Sequence, residues 1–359
     1  MANTETQNLD ALLHEIAQEQ GESFTYNRAK IEEEAQQSNF QLSRLAMKVL
    51  TILGGLLASS TFLGFLAAAG LYDSPVAIAV VGAALLVGAE SLIRSKTEAA
   101  ADSIGVSLNI IGYILLGMGV GQLTDNATAV ACVLGGAAAL VVVLSRSAIC
   151  VFFGVLVLNG SLLGLLVIHK IDNAAHLHIA LLAAILTYIS LNEARLISLH
   201  AKLNAKYSPV LMGVVFSLLL MLALLVHQKF LSTAIGHFWI SGAVLSLCLL
   251  LLVYSVMQHA GIKNTKTRVA IYTCTVLILG PTIVAPSVPG ALLVLLSSFY
   301  IGHRPGFWVG LLALVYFVVM YYYDLNMTLL AKSGVLVASG LLFLGGFVLL
   351  NKFLKNDAD

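Results

Sequence analysis

Charged residues are scarce in this sequence. Asp, Glu, Lys and Arg make up 10% of its 359 residues, whereas soluble globular domains carry roughly 25%. Hydrophobic residues make up 59%. A chain with so few polar groups cannot cover a water-facing surface, so its composition predicts that the lipid bilayer is its solvent.

The motifs of several large enzyme classes are also absent. There is no GxxxxGK[ST], GxSxG, HExxH or CxxC pattern, and no segment between the apolar runs is long enough for a soluble catalytic domain. The four cysteines lie singly inside apolar runs, which argues against a disulfide framework and against a zinc site. The net charge of +1 and the scattered Lys and Arg residues give no basis for nucleic-acid binding. We therefore expect neither a cofactor nor a bound metal.

A polar segment precedes the first apolar run. Residues 1–45 hold eight of the eighteen acidic residues, and the pattern NLDALLHEIA predicts a short amphipathic helix. The acidic start differs from a cleavable signal peptide, which needs a basic start and an apolar stretch. We divide the chain into a cytoplasmic polar tail at residues 1–45, a transmembrane domain at 46–352 and a cytoplasmic C-terminal tail at 353–359.

Apolar runs close to the roughly 20 residues that a membrane-crossing helix needs fill the rest of the chain. The candidate spans lie near residues 49–70, 75–93, 103–122, 127–145, 148–168, 175–192, 208–226, 236–257, 268–285, 287–302, 306–323 and 330–351. Their connections are short, and backbone in lipid must satisfy its own hydrogen bonds. The sequence therefore predicts an all-α integral membrane protein, a polytopic bundle of about twelve transmembrane helices.

The positions of Lys and Arg predict how this bundle is oriented. If the N-terminus is cytoplasmic and the spans alternate, sixteen of the nineteen basic residues lie on the cytoplasmic side. Only Lys170, Lys229 and Lys332 then lie outside. Because cytoplasmic loops carry an excess of Lys and Arg, both termini are expected in the cytoplasm.

The stretch YYYDLNMTLLAKSG, at residues 321–334, carries the first candidate site. Asp324, Thr328 and Lys332 share one face of a helix if it continues through them, and Asn326 and Ser333 are further polar candidates in the same stretch. Such a polar stripe on the outer side is suited to contact a partner or a solute. Alternatively, the Asp or Asn caps the last helix and the lysine reaches outward to the headgroups.

Two carboxylates are candidate intramembrane sites. Glu90 and Glu193 each lie at the cytoplasmic end of an apolar span, in stretches that resemble each other and hint at a four-helix unit used twice. A carboxylate buried in the bundle would indicate proton coupling. Alternatively, each pairs with a nearby arginine, as Glu90 could with Arg94 one turn away.

The segment HKIDNAAHLH holds His169, Asp172, His176 and His178. These residue types suit zinc, but their spacing matches no zinc motif, so we interpret the segment as an extracytoplasmic loop. His227 is interpreted in the same way.

Proline and glycine mark two further features. Pro281, Pro286 and Pro289 either break a helix that lines a cavity or form a tight outer turn. Gly117 and Gly121, four residues apart, predict close helix packing.

The C-terminal region resembles a known family. Part of the resemblance is the pattern YY-x-L-x-x-T-L-L-x-K-S. All the residues that carry the resemblance are Pro289, Gly290, Gly302, Arg304, Tyr322, Tyr323, Leu325, Thr328, Leu329, Leu330, Lys332, Ser333 and Gly340. This pattern resembles the domain of unknown function 4401 family of uncharacterised bacterial inner-membrane proteins. The resemblance implies a membrane complex that includes another multispan membrane protein and a small exported protein with a GDYxxLxxxG motif.

Three functions remain open from the sequence. The first is a non-enzymatic component of a complex in the bacterial cytoplasmic membrane, with an extracytoplasmic partner docked at residues 322–333. The second is a secondary transporter of a neutral or lipid-like solute. The third is a membrane-embedded transferase, for which the outer loops are short.

Overall fold

The computed structural model describes residues 60–95, 99–171, 173–199, 201–227, 236–262, 264–283 and 285–324, with isolated positions at 54–58 and 333–345. Within these residues every regular element is helical. The helices are α1 (Pro75–Ser95), α2 (Ala99–Thr124), α3 (Ala127–Leu144), α4 (Ala148–Ile168), α5 (Ala174–Leu191), α6 (Glu193–Leu199), α7 (Ala201–Val226), α8 (Phe238–His259), α9 (Thr265–Leu279), α10 (Ser287–Tyr300) and α11 (Arg304–Asp324).

In the described part of the chain, eight helices are long and apolar enough to cross a membrane: α1 to α5, α7, α8 and α11. They match eight of the predicted spans, and the protein is a multi-pass membrane protein. Of the predicted span at 49–70 the structure describes residues 60–70 and three earlier positions, whereas most of the predicted span at 330–351 lies outside the described residues. The predicted spans at 268–285 and 287–302 form α9 and α10, of 15 and 14 residues.

Proline explains why α9 and α10 are short. Pro281 lies in a 3-10 turn, Gly280–Thr282, that follows α9, and Pro286 is the N-cap of α10. Pro289 lies in the first turn of α10, where its missing N–H costs no helical hydrogen bond. The prolines therefore mark the turn between the two helices, which is one of the two alternatives that the sequence left open.

The largest core lies where α5, α7, α8 and α10 pack together, and α10 contacts the other three as well as α11. The side chains that fill it are mainly aliphatic, and those with no exposed surface include Leu182, Leu186, Leu218, Leu222, Leu245, Leu252 and Leu293. The buried polar residues of the described chain are Ser, Thr, Asn and His, with no Asp, Glu, Lys or Arg among them.

A second group of helices packs mainly as pairs, α1 with α2 and α3 with α4. Gly117 and Gly121 of α2 face α3, since a Cβ placed on them would lie 3.2 Å from the Leu134 side chain and 3.6 Å from that of Val130. The missing side chains let α2 approach α3 closely, in line with the predicted role of these glycines.

Hydrogen bonds between helix ends define two ends of the bundle. At one end, which we call the basic end, five pairs meet: Arg94 with Leu144, Lys206 with Val142, Tyr207 with Ile189, Ser208 with His303, and Tyr300 with His259. At the opposite end, His176 of α5 meets Ser241 of α8, and Gly242 lies against the Ile283 carbonyl. The helix ends that meet are those that the alternation of spans assigns to the same side.

Candidate functional site

The predicted outer stripe begins where α11 ends. Asp324 is the last residue of α11; its side chain, and Asn326, Thr328 and Lys332, lie outside the described residues. Ser333 is helical and exposed. The proposed contact role of these five residues therefore stays a prediction.

The tyrosines that precede the stripe form an exposed aromatic edge. The rings of Tyr322 and Tyr323 meet edge to face with centroids 5.9 Å apart, and Tyr323 is 71% exposed. Aromatic rings with a polar tip favour the headgroup level of a membrane. The end of α11 is thus suited to lie at a membrane interface, beside the segment that carries the stripe.

Glu90 lies near the C-terminal end of α1 and forms an ion pair with Arg94. Arg94 Nε donates to Glu90 Oε1 across 2.6 Å, and the guanidinium also donates to the Leu144 carbonyl through Nη2 at 2.9 Å. The carboxylate is therefore neutralised by an arginine one turn away and lies at the basic end. Glu90 is therefore better explained by an ion pair within one helix than by proton coupling, because a proton-coupling carboxylate would lie deeper in the bundle.

Glu193 opens the short helix α6, just after α5. It is half-buried and has no ion-pair partner among the described residues. Burial raises the pKa of its carboxyl above the ordinary value. Because α6 packs on α7 whereas Glu90 lies on α1, the two resembling stretches have different surroundings.

The interpretation of HKIDNAAHLH as a loop is wrong for His176 and His178. Both lie inside α5, which begins at Ala174, and both are nearly fully buried. His176 Nε2 donates to the Gly236 carbonyl at 2.6 Å, and Nδ1 forms a hydrogen bond with the Ser241 hydroxyl at 2.7 Å. The ring therefore joins α5 to the start of α8 rather than facing water.

His227 is tied to a neighbouring helix as well. Its Nε2 lies 2.6 Å from the Tyr316 hydroxyl, which joins the end of α7 to α11. Among the described residues, no three His, Cys, Asp or Glu side chains converge to hold a metal ion. In the part of the chain that the structure describes, His176 and His227 thus act as contacts between helices.

A histidine at the basic end has a defined tautomer. His303 Nδ1 accepts from the Gly306 N–H at 3.1 Å, so Nε2 carries the proton and donates to the Ser208 hydroxyl at 3.0 Å. Burial lowers the pKa of His303 below its ordinary value. The neutral ring therefore joins the α10–α11 turn to the start of α7.

At the basic end, Lys206 and Arg94 have a role that the sequence analysis missed. Lys206 Nζ donates to the carbonyls of Val142 and Val143, and Arg94 donates to the carbonyl of Leu144. Two cations thus cap the last turn of α3, where unpaired carbonyls give the helix a partial negative charge. The assignment of these basic residues to one side of the membrane was the only sequence signal for this grouping.

Comparison with known protein families gives a match over most of the chain. The family described as domain of unknown function (DUF4401) matches residues 44–353, which is most of the chain. The chain belongs to the DUF4401 family. No curated protein and no solved structure matches it significantly. The family description names no activity, so the function has to be argued from the structure.

Proposed function

We propose that this DUF4401 protein is a non-enzymatic component of a protein complex in the bacterial cytoplasmic membrane. The observation that carries the proposal is the absence of any buried Asp, Glu, Lys or Arg in the described helices. Ion-coupled transporters and membrane enzymes commonly place carboxylates or cationic side chains inside the bundle, where such groups mark pathways and reaction centres. The buried histidines of the described helices are His176 and His178, and His176 is engaged in a contact between α5 and α8. Here the four-helix core is filled mainly by aliphatic side chains, which suits a structural role.

The same proposal includes twelve spans and cytoplasmic termini. Arg94, Arg146 and Lys206 lie together at the basic end, and this supports that end as the cytoplasmic one. The opposite end, with His176 and the α9–α10 turn, then faces outward. The C-terminal end of α11 then lies on the same outer side, where the segment of residues 322–333 begins.

The proposed docking surface is this outer segment, and the proposed partner is an exported protein. Tyr323, within this segment, is exposed, and aromatic residues are enriched at protein interfaces. Another multispan membrane protein would contact the lipid-facing helices of the same complex. The sequence resemblance to the family suggests both kinds of partner.

Co-purification from native membranes in mild detergent tests the proposal. The wild-type protein is compared with an Asp324→Ala, Lys332→Ala double variant expressed at the same level. Asp73 and Lys170 provide a matched control, since both are exposed and are assigned to the same outer side. The Asp73→Ala, Lys170→Ala variant removes the same two charges outside the proposed surface.

The three proteins separate the outcomes. A stoichiometric partner held by wild type and control but lost from the Asp324→Ala, Lys332→Ala variant supports docking at residues 322–333. A partner retained by all three would place docking elsewhere. If no partner accompanied any of them, the proposal of a complex would be wrong.

One observation favours transport as a second candidate. Asn109 Oδ1 and the Tyr113 hydroxyl are buried on one face of α2, one turn apart, with no hydrogen-bond partner among the described residues. Buried polar groups usually have partners, so these two could line a path for water or a neutral solute. An Asn109→Cys substitution, in a variant without the native cysteines, tests this by reaction with a membrane-impermeant thiol reagent. Labelling would favour transport, whereas an unreactive thiol would argue against a water path.

A further inference from the structure

Three basic side chains surround a cavity at the basic end. Arg94 from the end of α1, Arg146 from the α3–α4 turn and Lys206 from the start of α7 line a cavity of about 360 Å³. Its other lining residues are small or apolar, and no Asp or Glu lines it in the part of the chain that the structure describes. We call this cavity the basic cleft.

The cations differ in how firmly they are held. Arg94 and Lys206 are fixed by the carbonyls at the end of α3, and Arg94 is also paired with Glu90. Arg146 is exposed and makes no hydrogen bond or ion pair with any described residue. The cleft thus combines two positioned cations with a third whose guanidinium is available to an incoming anion.

The start of α4 adjoins the cleft. Ser147 is the N-cap residue of α4, yet its hydroxyl caps no N–H and is buried without a partner among the described residues. Its neighbours Arg146 and Ala148 both line the cleft. Unpaired N–H groups at the start of a helix attract anions, and the cations of the cleft, of which Arg94 is paired with Glu90, strengthen that attraction.

An apolar groove continues from the cleft. A second cavity, of about 450 Å³, shares Arg94 and Leu144 with the cleft and runs between α1, α2 and α3. Its lining is mainly aliphatic and reaches Ala83, eleven residues before Arg94, or about 16 Å along the helix. That length is close to half of the roughly 30 Å hydrocarbon core, the depth of one leaflet.

We propose that the basic cleft binds the phosphate of an anionic glycerophospholipid, with one acyl chain lying in the adjoining apolar groove. Phosphate oxygens accept hydrogen bonds from Arg, Lys and helix N-terminal N–H groups. Basic pockets between membrane helices at the cytoplasmic side are suited to such headgroups. The groove argues for a lipid over a free phosphate ion, because only a lipid occupies both cavities. The site is independent of the proposed docking surface.

Equilibrium binding to the purified full-length protein in neutral detergent tests the site. The probes are dioleoylphosphatidylglycerol, dioleoylphosphatidylcholine and inorganic phosphate. Arg146→Gln removes the exposed cation, and Arg195→Gln is its control because Arg195 is also exposed but does not line the cleft. Leu140→Trp fills the groove, and Leu247→Trp is its control, since both leucines are about 60% exposed.

We expect the phosphatidylglycerol lipid to bind more tightly than the phosphatidylcholine lipid. Arg146→Gln should weaken the phosphatidylglycerol binding about fivefold, and Leu140→Trp should weaken it severalfold, while both controls bind like wild type. Equal effects of Arg146→Gln and Arg195→Gln would overturn the cleft as the headgroup site. Binding of inorganic phosphate that depends on Arg146, with lipid binding unaffected by Leu140→Trp, would overturn the lipid assignment in favour of free phosphate.

Discussion

The contact between α1 and α2 gives the sharpest prediction about stability. A Cβ placed on Gly82 of α1 would overlap the backbone of Leu116, and one placed on Gly119 of α2 would overlap the backbone of Ala79. Backbone atoms cannot rotate away as the end of a side chain can, so the two helices would have to separate. Gly82→Ala should therefore lower the free energy of unfolding by about 1–3 kcal/mol, the usual cost of overpacking a core.

Gly88, on the same helix, provides a control of identical chemistry. A Cβ placed on Gly88 meets nothing within 4 Å, and alanine has a higher helix propensity than glycine by up to about 1 kcal/mol. Gly88→Ala should therefore leave the protein equally stable or slightly more stable. Alanine is thus expected to destabilise the protein at Gly82 but not at Gly88, on the same helix.

Gly105 and Gly112 of α2 are intermediate cases. Their Cβ atoms would approach the side chains of Ile93 and Leu86, which can change rotamer. Alanine at either position should cost less than at Gly82. Denaturation by SDS in mixed micelles, followed by circular dichroism, gives the free energies. If Gly82→Ala and Gly88→Ala differed by less than about 0.5 kcal/mol, which surface substitutions commonly produce, the close backbone contact would be refuted.

Three further predictions concern polar groups. His176→Ala should lower the free energy of unfolding by about 1–3 kcal/mol, because the Ser241 hydroxyl and the Gly236 carbonyl both lose a partner. Ser241→Ala breaks only one of these hydrogen bonds and should lower the free energy of unfolding by less. If Ser241→Ala were the more destabilising of the two, the assigned hydrogen bonds would be contradicted. Burial raises the pKa of the Glu193 carboxyl above its ordinary value of 4.5, so its ionisation destabilises the folded protein as the pH rises above 4.5. Glu193→Gln should therefore raise the melting temperature at pH 7 but not at pH 4. Equal changes at the two pH values would contradict a role for ionisation. Burial lowers the pKa of His303 below its ordinary value of 6.5, so the contribution of His303 to stability should be complete above pH 6.5 and decline below it. The melting temperature of a His303→Gln variant should therefore fall less steeply below pH 6.5 than that of wild type. An equally steep fall in both proteins would contradict this pH dependence.

The sequence was sufficient to predict the helical membrane architecture because a span depends on a local property, about 20 consecutive apolar residues. The eight long helices follow from that property alone. The prolines near α10 were visible too, but whether they break a helix or form a turn depends on neighbours that are distant in the sequence. This is why α9 and α10 were predicted as longer spans than the structure contains.

The polar contacts were harder to predict for the same reason. The polar residues of HKIDNAAHLH suggested a loop. His176 is nevertheless buried, and its hydrogen-bond partner Ser241 lies 65 positions away in the sequence. The basic cleft likewise joins Arg94, Arg146 and Lys206 from three separate helix ends. The count of Lys and Arg predicted that these residues share a side of the membrane, but their convergence on one cavity depends on tertiary packing.

The short helix α10 bears on the proposed topology. With 14 residues it is about 21 Å long, less than the roughly 30 Å hydrocarbon core. Nevertheless, the turn before it meets Gly242 near the start of α8, and Tyr300 at its end meets His259 at the end of α8. Together with its flanking turns, α10 therefore runs alongside nearly the whole of α8. Irregular backbone is tolerated at membrane depth where protein surrounds it, and residues 285–290 are all buried. This supports counting α10 among the alternating spans, which an even number of spans and cytoplasmic termini require.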